Sequence, residues 1–165
     1  MIMIDDSGIK AGAASEATID KALGCLDIAL KQKLPCVHLV ESAGVDLPNY
    51  SVKLWSKFGS VFYKKAKLSA AGIPVIAILH GFSTAGGAYQ IGMSDYVIGV
   101  KGNGMAALAG SALLKAATGE NATNSDIGGV EMHSVVTGSV EYLVNDDEES
   151  IVTVRKLIDQ LNWNE

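Results

Sequence analysis

In Pro74-Val75-Ile76-Ala77-Ile78-Leu79-His80-Gly81-Phe82-Ser83-Thr84-Ala85-Gly86-Gly87-Ala88, a near-continuous apolar run gives way to a Gly/Ser/Thr turn. The turn leads into a helix that runs to about Gly92. An apolar run without alternation marks a strand covered on both faces, as in parallel sheets. Downstream, Asp95-Tyr96-Val97-Ile98-Gly99-Val100 reads as the next strand. Upstream, Leu54, Trp55, Phe58, Val61 and Phe62 share one face of a helix that Gly72 closes. Before it come the strand Cys36-Val37-His38-Leu39-Val40 and the loop from Glu41 to Asn49. An earlier helix, with Ser15 as N-cap, carries the stripe Ile19, Ala22, Leu23, Leu26, Ala29 and Leu30. Met1 to Ile4 is expected to be a short buried strand, followed by the turn cluster Asp5-Asp6-Ser7-Gly8.

Strand and helix therefore alternate through residue 100, the pattern of an α/β domain with parallel pairing. Residues 101–145 are less regular and rich in small side chains. Ile151, Val154, Leu157, Ile158 and Leu161 then mark an amphipathic helix with Asp146, Asp147, Glu148 and Glu149 in its first turn, the sign that suits a helix N-terminus. No regular repeat, low-complexity tract or linker interrupts the chain, so residues 1–165 read as a single domain.

The bulk numbers agree with one sizeable core: 165 residues, 48 % hydrophobic and 19 % charged. Eighteen glycines against three prolines imply many tight turns and close backbone approaches. A net charge of −5 argues against nucleic acid, which needs a basic footprint, but leaves room for a phosphorylated small ligand. Cys25 and Cys36 lack CxxC spacing and read as buried free thiols, with no disulfide and no metal site expected. Met1 to Ile4 is too short and too soon acidic for a signal peptide, and no run is long enough to span a membrane. The expected location is cytoplasmic.

Two turns share one architecture: Ser42-Ala43-Gly44-Val45-Asp46 and Ser83-Thr84-Ala85-Gly86-Gly87-Ala88. Each follows an apolar strand and leads toward a helix. In α/β folds ligands gather beyond the carboxyl ends of the strands. Glycine there lets a ligand approach the main chain, and a helix start leaves N–H donors free. Two such turns side by side can aim two N–H groups at one oxygen, an oxyanion hole suited to a thioester carbonyl that becomes an enolate. Spacing alone leaves this reading and plain helix–strand packing both open.

At the second turn a family resemblance enters. Ser69-Ala70-Ala71-Gly72-Ile73-Pro74, Ser83-Thr84-Ala85-Gly86-Gly87-Ala88-Tyr89 and Met93-Ser94-Asp95-Tyr96-Val97-Ile98 resemble successive blocks of biotin-dependent acyl-CoA carboxyltransferase β subunits, of the propionyl-, methylcrotonyl- and acetyl-CoA types. Leu114 to Glu120, Gly128 to His133 and Asn145-Asp146-Asp147 continue in the family's order. The resemblance implies a crotonase-type spiral of ββα units, here a truncated part of the N-terminal, acyl-CoA-binding domain. It implies a coenzyme A thioester as substrate and no metal. Biotin would come from a biotin carboxylase/biotin carrier partner, and a second carboxyltransferase domain or chain would receive it, in a homo-oligomer. Gly86 and Gly87 match the glycine pair whose N–H groups hold the acyl carbonyl. Ser42 to Leu47 is similar to the first oxyanion turn of crotonases, which would make Val45 the other donor. Gly44, Ala85 and Ala88 would line the same ligand site.

The pattern also departs from the family's. Ala109-Gly110-Ser111-Ala112 stands where two prolines are usual, Phe82-Ser83-Thr84 where a Ser-Cys-Thr run is usual, and Ala43 where glycine is common. Other expectations concern side chains. His80 is read as a satisfied core or packing histidine, and His133 as a structural hydrogen-bonding group with a role near the acyl pocket as its alternative. Glu41 and Asp46 are read as caps for the following helix, and Tyr89 as packing. Lys101 and Lys115 are read as solvated, with CoA phosphates as their alternative. A Cβ at Gly86 or Gly87 is expected to crowd the thioester while leaving the fold largely intact. A non-catalytic assembly protein and a biotin-independent acyl-CoA decarboxylase or hydrolase are the competing functions.

Overall fold

A computed structural model describes residues 1–161 and Trp163. Strands β1 (Ile2–Ile4), β2 (Cys36–Val40), β3 (Val75–Leu79), β5 (Tyr96–Val100) and β7 (Tyr142–Val144) form one sheet in the order β1-β2-β3-β5-β7, every pair parallel. Helices α1 (Glu16–Gln32), α2 (Val52–Ala70) and α7 (Asp147–Gln160) are the long ones. Their caps follow from the sequence: Ser15, Ser51 and Asp146 accept the N–H of Thr18, Leu54 and Glu149. Gly72, at φ +71°, lies just past the end of α2 and turns the chain into β3.

A second, smaller layer runs beside the main sheet. Strands β4 (Phe82–Thr84) and β6 (Met105–Ala107) pair in parallel, and Ala14 bridges Val45 in the same way. The chain thus repeats one unit: a strand in the main sheet, a short extended step in the second layer, then a helix. The clearest instance is β3, β4 and α3 (Gly86–Gly92). Between β6 and β7 the chain makes α4 (Ser111–Thr118), α5 (Asn124–Gly128) and α6 (Val130–Met132), and α6 runs into a π-helical turn over His133–Thr137.

All of β3 is buried, as its unbroken apolar run requires. One core lies between α1, α2 and the sheet, built on Ile19, Leu26, Phe58, Val61 and Leu68. Another packs Val154 and Leu157 of α7 onto Ile76, Ile98 and Val144. Charged pairs tie α1 to α2 at its rim: Lys57 to Glu16 and Asp20, Lys53 to Glu16, and Lys64 to Asp27.

Five expectations need correcting. Strand β1 is an edge, with Ile2 and Ile4 each 66 % exposed, because only β2 pairs with it. Trp55 turns half out of the α2 stripe, edge-on to Tyr50, and Ile151 lies at the margin of the α7 stripe. Cys25 is only partly buried, whereas Cys36 is fully so, and burial pushes its thiol pKa up. The segment His80–Gly87 is not one turn, since its middle is β4.

Candidate functional site

The two glycine turns meet. Gly44, at φ +89°, presents its Cα so closely that a Cβ would stand 3.4 Å from the Gly86 nitrogen and 3.3 Å from the Thr84 carbonyl oxygen. Gly87 seats against the Ser42 carbonyl oxygen, 2.5 Å from where a Cβ would be. One hydrogen bond stitches the turns together, from Thr84 N–H to the Ser42 oxygen at 2.9 Å. Ser42 also braces its own turn: its Oγ accepts from Gly44 N–H at 3.1 Å and donates to the Gly12 carbonyl at 2.8 Å.

Main-chain N–H groups of these turns are left without a protein partner among the described residues. Ala14 bonds the Gly44 oxygen and the Asp46 N–H on either side of Val45, so in a parallel bridge the Val45 N–H points away from Ala14. At α3 the chain leaves β4 through Ala85, held at φ +50° and ψ −120°, a region that L-residues seldom occupy. Its N–H is anchored by the Ala107 and Leu108 carbonyls, 3.1 Å from each. The helix then starts abruptly, with no side-chain cap, so Gly86, Gly87 and Ala88 begin it without intrahelical partners. Among the described residues no hydrogen bond uses the N–H of Val45, Gly86 or Gly87. The structure thus sets Gly44 close to Ala85 and Gly86, and Gly87 against Ser42, from two turns about forty residues apart, while Val45 and Ala88 are the chain neighbours of these contacts.

The other side chains are held to different degrees, and His80 is not the satisfied group expected. His133 Nε2 bonds the Ala106 carbonyl at 2.7 Å and Nδ1 meets Thr137 Oγ1 at 3.0 Å, so it braces the second layer. His80 lies 3.8 Å from Asp147, with its Nε2 buried and unpaired. Asp46 does not cap α2, a role Ser51 fills; its carboxylate takes Asn49 at 2.9 Å and Lys10 at 3.0 Å, and these hold its pKa below the usual range. Glu41 is no cap either: its side chain lies against Gly81. Tyr89 is exposed and packs on Phe62, with ring centroids 5.7 Å apart. Lys101 bonds Asn145 at 3.1 Å, and Lys115 is exposed.

The expectation that a Cβ at either glycine would leave the fold intact is overturned. At Gly87 it would collide with the Ser42 main chain, and at Gly86 with the buried Phe58 ring. Packing and the donor arrangement are inseparable at these positions.

Sequence reasoning missed Lys65. It is fully buried, under the turns, 3.3 Å from His38 Nδ1 and 3.3 Å from the Gln90 carbonyl oxygen. Burial lowers its pKa from 10.5 to about 8. Its signal was its position: Leu54, Phe58, Val61, Lys65 and Leu68 are all buried on one stripe of α2.

The fold is of the crotonase-like class, and comparison with known proteins identifies the family. All of residues 1–165 match the carboxyl transferase domain family, and the chain belongs to it. It is 41 % identical over 163 residues to the probable biotin-dependent acyl-coenzyme A carboxylase beta2 subunit of Mycobacterium tuberculosis, covering 99 % of this chain and 31 % of that protein. It is 39 % identical to the probable mitochondrial methylcrotonoyl-CoA carboxylase beta chain of Drosophila melanogaster, covering 98 % of this chain and 28 % of that one. The geranyl-CoA carboxylase beta subunit of P. aeruginosa superposes with a TM-score of 0.88 at 40 % identity, over 98 % of this chain and 30 % of its own. The chain therefore spans about three tenths of the length of its relatives.

Proposed function

We propose that this chain is the acyl-CoA-holding part of a carboxyltransferase that moves a carboxyl group from carboxybiotin to the α-carbon of an acyl-CoA. The observation that carries this reading is the contact between the two turns, which leaves the N–H groups of Val45, Gly86 and Gly87 without protein partners. Such donors hold a thioester carbonyl and strengthen their hold as the oxygen gains charge in the enolate. Gly44 and Ala85 let the ligand come close to the main chain, and Ala88 adds the small side chain that keeps the approach open. Carboxybiotin, carried by a partner protein, supplies the carboxyl group and accepts the α-proton. The residues of this chain position the thioester and stabilise the oxyanion, with no side-chain base required. A transcarboxylase 12S structure, 26 % identical with a TM-score of 0.86, was determined with methylmalonyl-coenzyme A and methylmalonic acid bound, which supports a CoA ester as the ligand class.

Calorimetric titration with propionyl-CoA, acetyl-CoA and free CoA tests this reading. Tighter binding of the thioesters is expected, because only they carry the carbonyl. Equal affinity for all three would remove the turns from carbonyl recognition.

A further inference from the structure

A chain of polar groups that the carbonyl site does not itself use links the two turns, with His38 and Lys65 buried and Asp5 partly so. His38 Nε2 lies 3.2 Å from Asp5 Oδ2, His38 Nδ1 lies 3.3 Å from Lys65 Nζ, and Lys65 Nζ lies 3.3 Å from the Gln90 oxygen. Donors and acceptors match in only one way. An ammonium at Lys65 has no lone pair, so Nδ1 must accept from it, and the ring proton sits on Nε2 and donates to the Asp5 carboxylate. His38 is then neutral, in keeping with the burial that pushes its pKa down.

Each end of this chain grips one turn. Asp5 Oδ2 also accepts the Glu41 N–H at 3.3 Å, immediately before Ser42, whose oxygen and hydroxyl organise the first turn. At the other end Lys65 holds the Gln90 carbonyl in α3, one helical turn beyond Gly86. Ser94 Oγ also bonds this oxygen, at 2.8 Å. A cation at the carbonyl end of a helix that offers its N–H end to a ligand is electrostatically favourable. The apolar stripe of α2 asks for a leucine or methionine at this position, and a buried ammonium is costly in its place.

We propose that the Asp5–His38–Lys65 chain sets the two donor turns against each other, with Lys65 as a positioning residue for the carbonyl site. The proposal rests on the reading of that site given above. The ionisable groups around Lys65 are Asp5 beyond β1, Cys36 and His38 on β2, and His80 through its influence on His38. Losing the Lys65 proton leaves a neutral amine with two N–H donors, one for His38 Nδ1 and one for the Gln90 oxygen, but removes the charge that strengthens both bonds, and both turns would feel it.

Carbon-detected carbonyl–nitrogen correlation spectra of the intact chain, from pH 6 to 11, test this directly, because they survive fast amide exchange. The Lys65 side-chain resonance is followed in the same samples, alongside Lys65→Met. The expected result is a common transition at the nitrogens of Glu41, Val45, Gly86 and Gly87 that follows Lys65 deprotonation. In K65M the transition is lost and the nitrogens of both turns are displaced at every pH. Turn nitrogens that stay flat while Lys65 titrates overturn the proposal, as do parental Val45 and Gly87 positions in K65M. Should K65M not fold, the parent titration alone decides. Adding propionyl-CoA or CoA to the parent separates the two claims. Coupled turns with no thioester preference overturn the carbonyl site and support the relay, whereas preference without coupling overturns the relay alone.

Discussion

Ala85 carries the strain of the site in its backbone. Its φ of +50° with ψ −120° suits glycine, and such a conformation costs an alanine about 1–3 kcal/mol. Ala85→Gly is therefore expected to raise the denaturant midpoint or leave it unchanged, despite glycine's larger unfolded entropy; a clear fall would mean that the packing of the Ala85 methyl outweighs the backbone strain. The neighbouring glycines behave in the opposite way. Gly86→Ala should lower the melting temperature through the Phe58 ring, and Phe58→Leu in the same chain should recover part of the loss. A double-mutant cycle reads that coupling, and strict additivity would place the clash elsewhere. Lys65 adds a pH dependence. Its folded pKa of about 8 lies below 10.5, so the folded state binds this proton more weakly than the unfolded chain does. Below pH 8 the buried charge costs roughly 3 kcal/mol, and the cost fades as pH rises from 8 to 10.5. Lys65→Met should thus be more stable than the parent at pH 7, with the gap closing toward pH 10.5. A K65M chain that is less stable at pH 7 would show that the hydrogen bonds of Lys65 outweigh its desolvation.

Among the elements, α1 and α2 show how surface charge is organised. Glu16 accepts Lys53 and Lys57, which hold its pKa down at about 2. A depressed carboxylate contributes stability above its ordinary range and loses it as pH falls from 4.5 to about 2. The group is exposed, so 1 M salt should return its titration toward 4.5, read by side-chain carboxyl shifts; a salt-independent value would mean that hydrogen bonding, not charge, sets it. These elements were legible in the sequence because periodicity needs length. Ser15 and Gly72 mark the ends of α1 and α2, and the apolar run of β3 carries its own burial. Strands β4 and β6 escaped because three residues show no period, and Phe82-Ser83-Thr84 and Met105-Ala106-Ala107 pair only after the chain has closed on itself. The donor turns were visible as motifs, but their contact was not. That Gly87 lies on the Ser42 carbonyl is a fact of the fold between distant segments, as is the meeting of Asp5, His38 and Lys65.

At the scale of the whole molecule, the β1 edge leaves apolar side chains of the main sheet uncovered. Ile2 and Ile4 both face outward, 66 % exposed, on a strand paired on one side only. Beside it opens a cavity of about 330 Å³, walled by Met3, Ile19, Ala22, Phe58 and Val61. An open edge with free main-chain groups and apolar side chains is a template for pairing, and unguarded edges of this kind seldom remain alone in solution. Two charged residues, Asp5 and Asp6, follow β1, but none lies within it to discourage a second strand. The isolated chain is therefore expected to associate, and light scattering at micromolar concentration should give a mass above one chain. Replacing both isoleucines, Ile2→Lys with Ile4→Lys, should lower that mass toward the single chain. Their exposure means that the melting temperature of the core should change little. A parent chain that is already a monodisperse monomer would show that this edge is guarded by the twist and shortness of β1, and that its isoleucines need no partner.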